Sequence, residues 1–580
     1  MSHTPTYDAK IKAILDVTQP GERTCEITGQ KWIMTEEEID WYRKFNVPPS
    51  KRAPLVRMWH MTCFWLSFQW WWNKHPETGK PILSFVHPAS GIKVLPDKEW
   101  YAKDFSSEGR EVDFGRSFFE QLRELQLCVP YLASRNAKEP ENSISQFSFG
   151  DVNSYFVMFC RSRDSLFGDY SFDVEDSAEL VNVGSVSNSY NIANSRRIHG
   201  CKFVRESFDC IRSCFLFDCR NCENCFGATN KRNAKYLWFN EQLSKEEWER
   251  RFSEVDFRRR SAVEGWFGKF DALLLKDTVW PENFNDKIQD STGEYLSGVT
   301  RVQHGFLCAE GPHDCAWVAG AWAETFDCFT CAGAFSCNTC YLLANSDRCV
   351  NAKFCDKCID CQNVEYCLQC INCENCFGCV GLNRKRFCIL NRQYTEEEYW
   401  KTVDCLKIAM LEQGTYGEFI PASMAHDTYQ LGGAELYYGA LPGFGKQIGG
   451  NDFEPESAGA VGDVLSDVQK LHDVSQIPDC IDDFTDDRWK GVGFYDPVQK
   501  RRFAFTAPEI AFYRRHGIGP SRQHFIARMW DMYRSANTGR LDERSCDKCA
   551  SPILVAYNAK YPERTVYCKP CYLRFLEEKG

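Results

Sequence analysis

CDKCIDCQNVEYCLQCINCENCFGC, residues 355–379, places Cys355, Cys358, Cys361, Cys367, Cys370, Cys373, Cys376 and Cys379 almost all three residues apart. A sparser version, DCIRSCFLFDCRNCENCFG, carries Cys210, Cys214, Cys219, Cys222 and Cys225. Both end in CENCFG, followed by a basic piece, a strand-like piece and a helix opened by Ser244 to Glu247 or Thr395 to Glu398, the hydroxyl and carboxylate of a capping box. Whatever the ladder builds is therefore built twice. Residues 145 to 225 are short strand-like pieces broken by Ser, Asn, Asp and Gly, a rhythm that predicts a β-solenoid with small or apolar residues inward and turn formers at the corners.

The chain has 580 residues, 43% of them hydrophobic and 14% aromatic, enough for several real cores. A net charge of −11 argues against a surface that coats nucleic acid throughout, which needs a basic footprint to displace counterions. The start shows no signal-peptide pattern and no apolar run is long enough to span a bilayer, so the expectation is a cytoplasmic protein without a membrane partner. Thirty-two cysteines in so large a chain predict reduced thiols, acting as metal ligands, buried small hydrophobes, or both.

The two ends are copies of one module. Residues 28–62 align without a gap on 499–533, pairing Thr35 with Thr506, Glu38 with Glu509, Tyr42 with Tyr513, and Arg57-Met58-Trp59 with Arg528-Met529-Trp530. Each copy predicts a strand, a helix opened by a capping box (Thr35 to Glu38, Thr506 to Glu509), a break at proline and a second amphipathic stretch. In the same register Pro81-Ile82-Leu83 falls on Pro552-Ile553-Leu554. The tail copy there carries Cys546-x2-Cys549 and Cys568-x2-Cys571, the pattern of a closed four-thiolate zinc site. The first copy has His75, Thr78 and the segment around Asp97 to Trp100 instead, so packing alone is expected to hold it together.

The ladder cysteines admit three readings: a packed interior, additional zinc, with Cys355, Cys358, Cys370 and Cys373 as candidate ligands, or iron–sulfur clusters. Ala228 stands where the second ladder has Cys379, and such interchange with apolar residues favours packing. Basic residues gather in the tail module, and Arg514, Arg515, Arg522 and Arg528, interleaved with aromatics, are candidates for nucleic-acid contact. The blander reading is a solvated helix face. No GxSxG, HExxH or deaminase motif occurs, and GALPGFGKQ, residues 439–447, lacks the spacing and the Ser or Thr of a P-loop.

FNVPPSKRAPLVR, ETGKPILS, DFGRSFFEQLRELQLCVP, the ladder end with NRKRFCILNRQYTEEEY, and IPDCIDDF leading into EIAFYRRHGIGPSR and the final knuckles together resemble a family. It is that of large cysteine-rich zinc-binding proteins predicted in uncultivated small-genome bacteria of the candidate phyla. The resemblance spans nearly the whole chain and implies zinc binding in an intracellular setting, but no activity. RAPLVR stands where that family carries a CPxCR-like knuckle, and only Cys25 remains of an opening pair.

The expected architecture is α+β, mainly β, a duplicated Cys-rich solenoid-like core flanked by two zinc-ribbon-like modules. Its parts are an N-terminal module (1–110), a helix and linker (111–139), solenoid halves at 140–252 and 297–405 with a connector (253–296) between, a Gly-rich irregular region (406–480) and a zinc module (481–580). The expected function is a non-catalytic, zinc-stabilised binding or assembly scaffold with a protein partner or self-assembly. An RNA- or ribosome-associated protein and an iron–sulfur or thiol redox protein are the alternatives.

Overall fold

In both Cys-rich regions the backbone repeats in triplets. Every third residue lies in the left-handed region, as at Asn182, Ser185, Asn188, Asn191 and Asn194, and again at Asp360, Asn363, Tyr366, Gln369, Asn372 and Asn375. Two extended residues make a short side and the left-handed one turns a corner, which is why Asn, Asp and Gly recur there. The chain returns over itself after 12 residues, the separation at which Ser189 N meets Ser177 Oγ and Cys201 N meets Ser189 Oγ. The computed structural model describes residues 2–66, 68–321, 325–333, 340–344, 353–454, 471–484, 489 and 492–580.

Strands stack in parallel at this step. Leu180, Ile192, Val204, Leu216 and Ala228 form one interior row, and Val364, Cys376 and Cys388 another. The second stack takes an extra residue in places, pairing Val302 with Cys315 and Ala316 with Phe329. Strands Leu166–Glu175 and Ala178–Ser187 run through two adjoining columns of the first stack and tie them into one sheet. Each stack ends in a helix, with the Ser244–Glu247 box half-formed because the Glu247 carboxylate turns to Arg250 and Arg251. Trp248 of helix Lys245–Ser253 donates its indole N–H to Leu237 O, and helix Glu396–Glu412 opens with a complete Thr395–Glu398 capping box.

The three-residue period explains the cysteines. Each triplet turns one residue inward, and where the rows are narrow that residue is Ser or Cys rather than Leu, Ile or Val. Cys201 stands in a row with Ser189, Ser213 and Cys225, and hydroxyl and thiol accept the same amide from the next turn: Ser213 N donates to Cys201 Sγ at 3.4 Å and Cys225 N to Ser213 Oγ at 3.0 Å. The thiols in turn donate to carbonyls nine residues on, as from Cys358 to Cys367 O (3.2 Å) and Cys373 to Leu382 O (3.3 Å). A thiol thus fills space and makes a weak hydrogen bond. Cys201→Ser should therefore change unfolding free energy by less than about 1.5 kcal/mol, whereas Cys201→Leu, which overpacks the row, should cost about 1–3 kcal/mol in urea titrations.

The end modules share one fold. Antiparallel strands Gly21–Thr24 and Lys31–Met34 precede helices Glu36–Phe45 and Pro54–Thr62, as strands Gly493–Asp496 and Arg501–Ala504 precede helices Ala507–His516 and Phe525–Ser535. The capping boxes expected at Thr35 and Thr506 are half-formed. Each hydroxyl accepts from the third helical amide, but Glu38 and Glu509 turn into the core instead of returning to the cap. There Glu38 meets Arg57 (2.8 Å) and Tyr42 (2.7 Å), and Glu509 meets Arg528 (3.1 Å) and Tyr513 (2.7 Å). A buried guanidinium needs a carboxylate more than an exposed helix end does.

The modules cross over. The first packs on the second stack, with Trp41 and Tyr42 against Phe329 and Phe45 against Tyr341, while the last packs on the first stack, with Phe512 and Tyr513 against Tyr190 and Phe525 on Phe167. Helix Phe118–Cys128, read from its periodicity, packs Phe118 on Phe377 and Tyr366. The corner Gly378 beneath it has φ +63°, and a Cβ there would lie 2.4 Å from the Phe118 ring, which accounts for the glycine of CENCFG.

Two segments between these parts contribute to the packing. The connector is part of the core: helix Arg260–Lys276 lays Phe267 and Phe270 on Phe203 and Phe215, and strand Val279–Pro281 pairs with Thr565–Tyr567. Much of the Gly-rich region is buried. Gly433 N donates to Trp65 O, and Tyr438 O accepts from the Trp59 indole, because glycine lets the backbone approach aromatic walls closely. Residues 455–470 of that region lie outside the described residues.

Where the stacks and modules meet, the buried Asp169 carboxyl accepts from the Tyr533 and Tyr437 hydroxyls, and burial pushes its pKa up to about 7. An unfolded aspartate titrates near 3.9, so the folded state holds this proton more tightly and its stabilising contribution falls as pH rises from about 4 to about 7, by up to about 1.4 kcal/mol per unit. Glu206, raised to about 8, and Glu294, raised to about 7, act in the same direction and for the same cause. Asp169→Asn should flatten this slope, being more stable relative to wild type at pH 8 than at pH 5 in denaturant titrations.

Candidate metal centre

The tail of the chain forms a hairpin, Leu541–Ser545 against Pro552–Ala556, in which Ser545 faces Pro552. Cys546 opens the connecting turn: its N–H donates to Ser551 O, its C=O accepts from Ala550 N, and Ala550 takes a left-handed φ of 60°. This knuckle presents Cys546 and Cys549 on one side. Cys568 caps helix Lys569–Lys579 and Cys571 lies in its first turn, so both face the knuckle. The four sulfurs lie within 4.8 Å of one another, with Cys546, Cys568 and Cys571 buried and Cys549 exposed. Cys549 Sγ is 3.6 Å from Cys568 Sγ, close to the edge of about 3.8 Å that four sulfurs make around a centre about 2.3 Å from each.

The surroundings favour thiolates. The Ser551 hydroxyl beside Cys549 holds its thiol down at about 6. At Cys546 burial, the largest single influence, raises the thiol, but the amides of Cys568, Cys549 and Lys548 together outweigh it and lower it. Arg574 donates to Cys571 Sγ at 3.4 Å. Cys568 is pushed up to about 12 by burial and by the adjoining sulfurs, the repulsion that a bound cation relieves. The set can therefore hold a metal ion, with every position filled by sulfur and none open for a substrate.

The same turn occurs three more times with the ligands changed. At Cys25 the sulfur takes amides from Ile27, Thr28 and Ala53. His75 Nδ1 accepts from Glu77 N (3.1 Å) and Thr78 N (3.2 Å), and Asp496 accepts from Val498 N (2.9 Å), Gln499 N (3.1 Å) and His524 N (2.9 Å). Gly29, Gly79 and Lys500 occupy the left-handed place of Ala550. Ala53 caps the helix carrying RAPLVR as Cys568 caps the last helix, so this is where a second ligand pair would stand. At His75 and Asp496 another hydrogen-bond acceptor stands in the place of sulfur, and the fold of the turn persists because its amides still have a partner. The repeated Thr-Gly of EITGQK and PETGKP is the readable sign of two of these extra turns.

Among the described residues no other group of three or more His, Cys or carboxylate ligands converges in this way, and Cys355, Cys358, Cys370 and Cys373 sit instead in the interior rows of the second stack. The candidate nucleic-acid residues are dispersed. Arg514 donates to Phe484 O, Arg515 pairs with Asp176, and Arg522 bonds Ser475 O and Ile477 O. Arg528 is buried between Glu509 and Glu179 and cannot reach a phosphate, which corrects its assignment as a contact residue. No helix among the described residues is long and apolar enough to cross a membrane. No family model, curated protein or solved structure matches the chain.

Proposed function

We propose that the protein is a non-catalytic binding or assembly scaffold: a duplicated β-solenoid whose two end modules are related to zinc ribbons, the last of them stabilised by zinc on Cys546, Cys549, Cys568 and Cys571. The observation that carries this reading is the interior row in which Ser189, Cys201, Ser213 and Cys225 alternate with the same partners. It gives the ladder thiols a structural task, so a rigid stacked surface remains as the feature to be used. A closed four-thiolate centre adds rigidity and no hydrolytic chemistry, and zinc suits it because the ion is redox-inert and tetrahedral.

Elemental analysis of anaerobically purified protein, paired with its absorbance spectrum, tests this. About one zinc per chain, no iron and no band near 400 nm are expected. Several zinc ions or stoichiometric iron would make the ladder a metal site and overturn the scaffold reading.

A further inference from the structure

Three separate parts of the chain enclose a cavity of about 570 Å³ that neither the metal centre nor the stacks account for. One wall is the flank of the first stack, from Tyr190 to Phe217; the second is helix Arg260–Lys276 with Phe257; the third is the last module, from Ile518 to Gln523 and at Lys560 and Tyr561. Its surface is mostly apolar. Concave sites of this size between chain segments, with a few convergent polar groups, are where small molecules bind.

The charges in the walls do not cancel. Glu179 is bound to Arg528, Asp271 to Lys560 and the Tyr561 hydroxyl, and Asp531 to Arg534, so these carboxylates already have cations or donors. Glu264 is exposed at the rim, 3.7 Å from Arg260, which also pairs with Asp479. Lys202 and Arg205 are different. They lie on one strand, Lys202–Arg205, and neither forms an ion pair among the described residues. Arg205 donates only to the backbone and side-chain oxygens of Asn191 and to Val204 O, which fix the guanidinium in place. Lys202 Nζ sits 5.3 Å from the Phe257 ring centre. Phe203, on the same strand, packs edge-on against Phe267 at 4.8 Å and supplies the apolar wall beside them.

We propose that this cavity binds a small organic anion with an aromatic body, its acidic group on Lys202 and Arg205 and its ring among Phe203, Phe257 and Phe267. Two half-buried cations without an ion-pair partner among the described residues favour a carboxylate, sulfonate or phosphate, and the aromatic walls favour a flat body over a hydrated inorganic ion. The site stands apart from the metal centre and does not rest on the scaffold reading.

Titration of the full-length protein with 8-anilinonaphthalene-1-sulfonate, followed by fluorescence and calorimetry, tests the assignment. One saturable site is expected. Lys202→Met and Arg205→Met should each weaken it about tenfold or more, as expected for loss of a charge-assisted hydrogen bond. Gly268 faces the cavity from the helix, and a Cβ added there meets nothing within 4 Å, so Gly268→Phe should fill the space and abolish binding without lowering the melting temperature. The uncharged analogue N-phenyl-1-naphthylamine should bind at least tenfold more weakly. Absence of saturable binding, binding that survives Gly268→Phe, or equal affinity for the neutral analogue would overturn the proposal. Because Arg205 also holds Asn191, Lys202→Met and Gly268→Phe keep the test decisive if Arg205→Met fails to fold.

Discussion

Replacing Arg528 with Met is expected to lower unfolding free energy by about 3–5 kcal/mol, the range for breaking a buried ion pair. The guanidinium lies between Glu179 (2.6 Å) and Glu509 (3.1 Å), beneath the Tyr513 hydroxyl and over the Phe167 ring. Methionine keeps much of the stem's packing but leaves two carboxylates buried without a cation. The matching Arg57→Met removes the partner of a single carboxylate, Glu38, and should cost less. The difference arises because the last module meets the first stack through Glu179, whereas the first module meets the second stack through the rings of Phe329 and Tyr341.

The pH dependence gives a second readout. Burial already holds Glu509 above the usual carboxylate range with Arg528 in place, and loss of the cation raises it further. A carboxyl whose folded pKa is raised contributes stability below its unfolded pKa and loses it as pH rises through the folded one. The Arg528→Met deficit should therefore shrink at pH 5 and grow at pH 8, and adding Glu509→Gln and Glu179→Gln should recover most of it. Urea unfolding at the two pH values measures both. A deficit equal to that of Arg57→Met and independent of pH would show that packing of the stem, rather than charge, is what Arg528 supplies.

With zinc bound as proposed, Cys571→Ser is expected to remove the metal and loosen the tail of the last module. Structural zinc in small modules contributes roughly 10–16 kcal/mol of apparent binding energy, and loss of one thiolate forfeits much of it. Here the consequence spreads. The helix that carries Cys571 also donates the Tyr572 hydroxyl to Asp218, and strand Thr565–Tyr567 pairs with Val279–Pro281. Once Cys568 and Cys571 no longer position that helix, its contact with the first stack at Asp218 and the pairing with the connector strand Val279–Pro281 both loosen. Elemental analysis should show the metal lost, and hydrogen exchange should rise across Leu541–Ser545, Pro552–Ala556 and Val279–Pro281 while the second stack stays protected. Cys25→Ser and His75→Gln, at the turns whose ligand sets are incomplete, should leave the metal content unchanged and cost only about 1 kcal/mol each, because an acceptor for the turn amides remains.

The candidate metal site is largely readable in the residue order alone. The spacing of Cys546, Cys549, Cys568 and Cys571 is set by two local turns, and local turns are encoded by adjacent residues. The module alignment is readable too, down to Arg57 and Arg528, but the role of those arginines is not. Arg528 looks like part of a basic surface because a sequence displays charges without their counter-charges, and Glu179, its second partner, lies 349 positions away. Glu38 and Glu509 satisfy the capping-box pattern, yet that pattern cannot show whether a buried cation competes for the same carboxylate. The turn at Asp496 is obscured because a carboxylate takes the place of sulfur as its acceptor.

The period of three, the duplication of the ladder and the kinship of the two ends are written into the residue order, since each follows from interactions between residues a few positions apart or from direct comparison of copies. Folding in three dimensions adds what that order does not display: the first module covers the second stack and the last module the first, the Gly-rich stretch is buried among aromatic rings, and Lys202 and Arg205 are left facing a cavity. These features depend on which surfaces fit when distant segments exclude water together, a property of shape and summed charge that no local pattern carries.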